Sequence, residues 1–119
     1  MRFPDGDILR NAYESLTYEP QIEYMQRDQA LTILGSHKPQ LVQRYRLTKV
    51  GIFGSVARNS ATDDSDIDIV VEMEPNILLK VQLKEELEAL LGRKVDLIRY
   101  WKRMNPYLKA RIDREARYV

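Results

Sequence analysis

Apolar and polar positions divide the chain into helix-spaced stretches and short apolar runs that read as strands. Across residues 7–16, Ile8, Leu9, Ala12 and Leu16 fall on one side of a short predicted helix. Residues 17–24, with Pro20 among them, read as a connector. Helical spacing resumes at Tyr24 and runs through Ala30, Leu31 and Leu34, where Gly35-Ser36 offers a stop. Pro39 suits the first turn of a further helix carrying Leu41, Val42 and Tyr45. Lys49–Phe53 is a short apolar run ending at a glycine and reads as a buried strand. Residues 67–71, rich in β-branched side chains, form a second predicted strand. Residues 76–91 give the clearest helix, with Ile77, Val81, Leu87 and Leu91 near one face and Gly92 as its stop. A third strand follows at residues 95–98. A closing helix over residues 106–118 would pack through Leu108, Ile112 and Ala116.

Strands separated by helices imply an α/β (α+β) domain: a small mixed β-sheet with helices packed on one face. At 119 residues the length prior is one domain. The expected division is an N-terminal extension over residues 1–24, to which no role attaches, and a domain over residues 25–119. A hydrophobic content of 44% and a charged content of 31% are ordinary for a soluble globular protein. The longest apolar runs fall far short of a membrane span and the N-terminus carries no signal-peptide core, so a cytoplasmic location is expected.

The net charge of +1 excludes a generally basic nucleic-acid binder and makes nucleic acid an unexpected direct ligand. Charge is nonetheless segregated. Between Asp63 and Glu74 lie six acidic residues and no Lys or Arg, whereas Arg99 to Arg117 holds seven basic residues against two acidic ones. A solvated face accounts for the basic tail at least as well as a partner or phosphate contact. With no cysteine and a single histidine, His37, thiolate sites, histidine-rich zinc sites and a Ser-His triad drop out. A metal here would take oxygen ligands, which favours magnesium or manganese.

Against that background one spacing stands out: Gly54-Ser55, ten residues, then Asp66-Ile67-Asp68. A glycine directly after a strand lets the backbone turn sharply and approach a phosphate, and Ser55 adds a hydroxyl. Taken singly, a Gly-Ser turn is commonplace, and the longer pattern of a conventional P-loop is missing. The aspartates change the weight. Successive strand side chains alternate, so Asp66 and Asp68 point one way while Ile67 and Ile69 point into a core. Asp96 lies within Val95-Asp96-Leu97-Ile98, and a charge in an apolar strand is costly unless paired or metal-bound. If the two strands are neighbours, three carboxylates converge on one sheet edge. Two cations roughly 4 Å apart there could clamp the attacking and leaving oxygens of a displacement at phosphorus.

Gly54-Ser55-x10-Asp66-x-Asp68 followed by Asp96 resembles the signature of the DNA polymerase beta-like nucleotidyltransferase superfamily. Gly51-Ile52-Phe53-Gly54-Ser55-Val56-Ala57-Arg58, with Ser65-Asp66-Ile67-Asp68-Ile69-Val70-Val71, resembles its minimal nucleotidyltransferases, the MNT type. The run Arg103-Met104-Asn105-Pro106-Tyr107-Leu108-Lys109 is similar to the same group. The likeness covers about two thirds of the chain, from His37 to Val119. It implies that Gly54 and Ser55 hold the β- and γ-phosphates of a nucleoside triphosphate, ATP as donor. It implies that Asp66 and Asp68 ligate two Mg2+ ions, with Asp96 completing the site of the catalytic ion and a candidate for the proton acceptor. Arg58 would contact the triphosphate, or else be a surface arginine. Ser65 would join the nucleotide site, or else only shape the approach to the strand.

The resemblance also implies a partner. MNT proteins are typically paired with a HEPN ribonuclease toxin and act as its antitoxin, transferring AMP from ATP to a tyrosine of the toxin. Larger nucleotidyltransferases join the catalytic unit to an acceptor-binding domain, so here the acceptor site is expected from a second copy or from that partner. Two other readings stand beside this one: a non-catalytic module that masks the toxin, and transfer to a small molecule or nucleic acid through a homo-oligomeric cleft.

Overall fold

A computed structural model describes residues 25–119 except Asp63, so the helix expected over residues 7–16 and the connector after it lie outside the described residues. The first described element, α1, is a single helix, Arg27–Tyr45. Gln26 opens it through a capping box with Gln29. Two helices broken at Gly35-Ser36 were expected, and that boundary is corrected: the helix runs on with Pro39 in its interior. Ala30, Leu34, Leu41 and Tyr45 are all buried, and at 3.6 residues per turn they fall within about 60° of one another. An interior proline costs ~3 kcal/mol. Burying Leu34, Leu41 and Tyr45 on one unbroken face returns roughly 1.5–3 kcal/mol each, which outweighs it.

Strand β1, Lys49–Phe53, leads into a single helical turn, α2, Gly54–Ala57. Strand β2, Ile67–Glu72, is followed by helix α3, Ile77–Leu91, and strand β3, Val95–Arg99. Asn76 caps α3 by accepting from the Leu79 N–H, and Gly92 ends it in the left-handed conformation, φ 66°. The strands stand in the order β3-β2-β1, with a short β4 beyond β1. β1 and β2 are antiparallel, while β2 and β3 are parallel and joined through α3. The expected mixed α+β sheet is therefore present.

Strand alternation splits the apolar side chains between two faces. Val50, Ile52, Ile67, Ile69, Val71, Val95 and Leu97 meet α1 and α3 in the larger core. Phe53, Val70 and Ile98 face the other way, against Met104 and Ile112. Ile112 belongs to α4, Pro106–Glu115, so helices cover both faces, not one. The buried stripe of α3 also shifts from the expected set. Leu83, Leu87 and Leu91 are buried, whereas Ile77 and Val81 are exposed, because at 100° per residue they stand on the flank of that stripe.

The closing helix starts at Pro106 as expected, with Asn105 accepting from the Tyr107 and Leu108 N–H groups. Its expected end at residue 118 is corrected. Ala116 is extended, and β4, Arg117–Tyr118, pairs antiparallel with Gly51 and Ile52. The edge of β1 offers unpaired backbone groups that a strand satisfies and a helix would not. Gly51 makes the pairing feasible, since a Cβ there would stand 2.4 Å from the Arg117 carbonyl oxygen.

Candidate active site

The face that carries α4 also carries the acidic residues. Asp66 lies one residue before β2, at the mouth of the strand, and is exposed. Asp68, second in β2, is half-buried and stands in register with Phe53 on one side and with Asp96 of β3 on the other. Because partners in register on parallel strands share a face, Asp68 and Asp96 are neighbours across the sheet, with strands about 4.8 Å apart. Burial foremost, then the Asp96 charge, raises the Asp68 carboxyl above its ordinary range, with Asp66 adding to the shift. Arg111 of α4 opposes that shift, its Nη2 lying 3.8 Å from Asp68 Oδ2. The two strands are thus the neighbours that convergence of the carboxylates required.

The turn after β1 is built around the absence of a side chain. Gly54 has φ 73°, and a Cβ on it would stand 2.0 Å from Asp68 Oδ2 and 3.1 Å from Arg111 Nη2. Only glycine accepts both the left-handed backbone and that approach. Ser55 follows, half-buried, in the single turn of α2. Arg58 caps that turn and pairs with Glu115 at 3.0 Å. The Ser65 hydroxyl accepts from the Thr62 N–H at 3.0 Å and lies 3.2 Å from the Thr62 hydroxyl, so it is engaged in shaping the loop before β2.

Two residues at the site escaped sequence reasoning. Arg111 and Glu115 stand one turn apart on α4 and are joined at 3.3 Å. Glu115 also accepts from the Gly54 N–H at 3.2 Å, across 61 positions of sequence. Their only local signal is an i, i+4 pair within a basic tail, which reads equally as a solvated helix face.

The donor chemistry fits a hard divalent cation. Asp66, Asp68 and Asp96 offer oxygen alone, and the repulsion felt by Asp68 is what a cation between them would relieve. As they stand, no three His, Asp or Glu side chains among the described residues are close enough together to hold an ion. Asp68 is turned towards Arg111, which serves as its counter-charge.

A cleft of about 500 Å³ lies elsewhere, lined by Arg46, Glu72, Tyr100, Trp101 and Lys109 among others. Glu72 is four residues beyond Asp68, about 13 Å along the strand, so this cleft does not adjoin the carboxylates. Tyr100 packs into the smaller core, donates its hydroxyl to Asp113 at 2.7 Å and lies under Lys109. No helix among the described residues is long and apolar enough to cross a membrane.

Comparison with known proteins falls on the same residues. The nucleotidyltransferase domain family matches residues 34–119. The protein adenylyltransferase MntA of Thermococcus cleftensis is 46% identical over 69 residues, which are 56% of this chain and 70% of that protein. A protein of Methanocaldococcus jannaschii is 44% identical over 89 residues, 73% of this chain and 91% of its own length. A chain of a toxin–antitoxin complex solved with AMP-PNP superposes with a TM-score of 0.59 at 21% identity, covering 70% of this chain and 69% of that one. A chain from the complex of the tri-AMPylated Shewanella oneidensis HEPN toxin with its MNT antitoxin gives 0.56 at 17% identity, covering 78% and 71%. At those identities the two complexes speak for the fold. Sequence match and strand geometry coincide from α1 to the last residue, and the chain belongs to the nucleotidyltransferase domain family.

Proposed function

We propose that this chain is a magnesium-dependent adenylyltransferase that transfers AMP from ATP to a tyrosine of a HEPN-type ribonuclease toxin, acting in the cytoplasm as its antitoxin. Residues 25–119 would form the catalytic unit. The observation that carries the reading is Asp68 in register with Asp96 across parallel strands, with the Gly54 backbone pressed against Asp68. Similarity to the adenylyltransferase MntA supports the reaction, and the fold shared with antitoxins of HEPN complexes supports the partner.

In the reaction the acceptor oxygen bonds to the α-phosphorus, the bond from that phosphorus to the bridging oxygen breaks, and pyrophosphate departs. The hydroxyl proton goes to a carboxylate, for which Asp96, exposed at the free edge of the sheet, is the accessible choice. Gly54 and Ser55 would seat the β- and γ-phosphates, and Arg58 would offset their charge. Asp66, Asp68 and Asp96 would hold Mg2+, whose charge would counter that of the phosphate oxygens. Burial makes Asp68 costly to ionise on its own, so the site favours the arrangement in which its charge is matched.

The test combines the purified chain, a HEPN-type toxin as acceptor, labelled ATP and Mg2+, read by label transfer and intact mass. Transfer to a toxin tyrosine is expected, and Asp66→Asn with Asp68→Asn should abolish it. No transfer, or transfer that survives the double substitution, would sink the catalytic reading.

A further inference from the structure

Within this fold the phosphate-binding turn already faces an anion, and that anion is a side chain. One oxygen of Glu115, Oε1, accepts from the Gly54 N–H at 3.2 Å, from Arg58 Nη1 at 3.0 Å and from Arg111 Nε at 3.3 Å. Two guanidinium groups and a backbone amide therefore converge on a single oxygen. The Glu115 side chain is only 14% exposed, although it ends a surface helix. An oxygen of a terminal phosphate at this turn calls for the same donors, since planar cationic forks and backbone N–H groups recognise carboxylate and phosphate alike.

Arg111 is the hinge of the arrangement. Its Nε holds Glu115, its Nη2 lies 3.8 Å from Asp68 Oδ2, and its guanidinium stands 5.5 Å from the centre of the Phe53 ring. It is thus placed between the carboxylate of β2 and the turn after β1. Resting on the adenylyl-transfer reading, we propose that Glu115 is an internal stand-in for a phosphate of the incoming triphosphate. Arg111, together with Arg58, is then a triphosphate-binding residue that the nucleotide takes over from Glu115.

The consequence is a competition. Chains with Glu115 seated on the turn must release it before the β- and γ-phosphates enter, so apparent ATP affinity falls in proportion to the fraction that is free. The Arg58 and Arg111 side chains are 48% and 41% exposed, so solvent screens these pairs and the competition is moderate, on the order of tenfold in affinity. AMP has no phosphates beyond the α position and should escape it.

Calorimetric binding of ATP and of AMP to the full chain tests the proposal. Glu115→Gln keeps the shape and removes the charge, and should tighten ATP about tenfold while leaving AMP unchanged. Arg111→Ala should weaken ATP about tenfold and AMP far less, and Arg111→Lys should recover part of the loss. Weaker or unaltered ATP binding by Glu115→Gln would mean that Glu115 holds the arginines in place without competing, and would overturn the proposal. Equal weakening of ATP and AMP by Arg111→Ala would reduce Arg111 to a packing role and overturn it too. A wild-type chain that binds no ATP would instead remove the adenylyl-transfer reading beneath it, which separates the two failures.

Discussion

Replacing Gly54 by alanine puts the geometry of the turn to a quantitative test. The added Cβ would stand 2.0 Å from Asp68 Oδ2, a separation that cannot persist, so the Asp68 side chain must leave its place. The left-handed backbone, φ 73°, adds about 1–2 kcal/mol of strain for a residue with a Cβ. Loss of chain freedom in the unfolded state returns about 0.4–1 kcal/mol. The screened Arg111–Asp68 pair, with its partners 41% and 20% exposed, contributes at most ~1 kcal/mol to the loss. The net expectation is about 1–2 kcal/mol of destabilisation, or several degrees in Tm for a domain of this size. Adenylyl transfer should fall by at least about a hundredfold, because a carboxylate of the site has been moved rather than merely weakened. Thermal melts and label transfer on the same preparation measure both. A variant that keeps wild-type activity would refute the close approach. One that loses more than about 4 kcal/mol would refute the magnitude and show that the surrounding side chains do not give way to the added Cβ. Gly35→Ala is the control: nothing lies within 4 Å of its added Cβ, and in the α1 interior it should stabilise by about 0.5–1 kcal/mol.

Asp68→Asn removes a half-buried charge repelled by Asp96 and Asp66, so it should raise Tm in metal-free buffer and abolish transfer in the assay with Mg2+; a lower Tm would show that Arg111 outweighs the repulsion. Tyr45→Phe removes the 2.6 Å hydrogen bond to Glu86 and should cost about 1 kcal/mol in denaturant unfolding. The Tyr45 hydroxyl, with Arg44, holds the Glu86 carboxyl below its ordinary range. The stability it gives is therefore complete above the unfolded carboxylate pKa and lost as pH falls through the lowered folded value. Chemical denaturation across acidic pH should show that loss shrinking in Tyr45→Phe, and an unchanged profile would contradict it. Gly51→Val would drive a side chain into the Arg117 carbonyl and should expel β4, read as faster hydrogen exchange at the Val119 N–H, which bonds the Val50 carbonyl. Protection equal to wild type would show that the edge adjusts around it.

The sequence by itself determined the elements that signal locally and the motif they frame. A short apolar run marked β1, a β-branched run marked β2, β3 followed the helix, Asn76 and Gly92 bounded α3, and Pro106 opened α4, because strand patterns and caps act over a few residues. Asp68 and Asp96 were legible because a charge inside an apolar strand is conspicuous in one dimension, and Gly54 and Asp66 because they stand at the end of one strand and the mouth of the next at a fixed spacing. Tertiary structure decided what depends on distant partners. Pro39 stays inside α1 because one buried face spans it, and residues 117–118 leave the helix because β1 has an edge to pair. It also chose which flank of α3 is buried, placing Ile77 and Val81 in solvent. Above all it brought Arg111 and Glu115 to the Gly54 turn, where electrostatic and hydrogen-bond complementarity acts through space between residues about sixty positions apart.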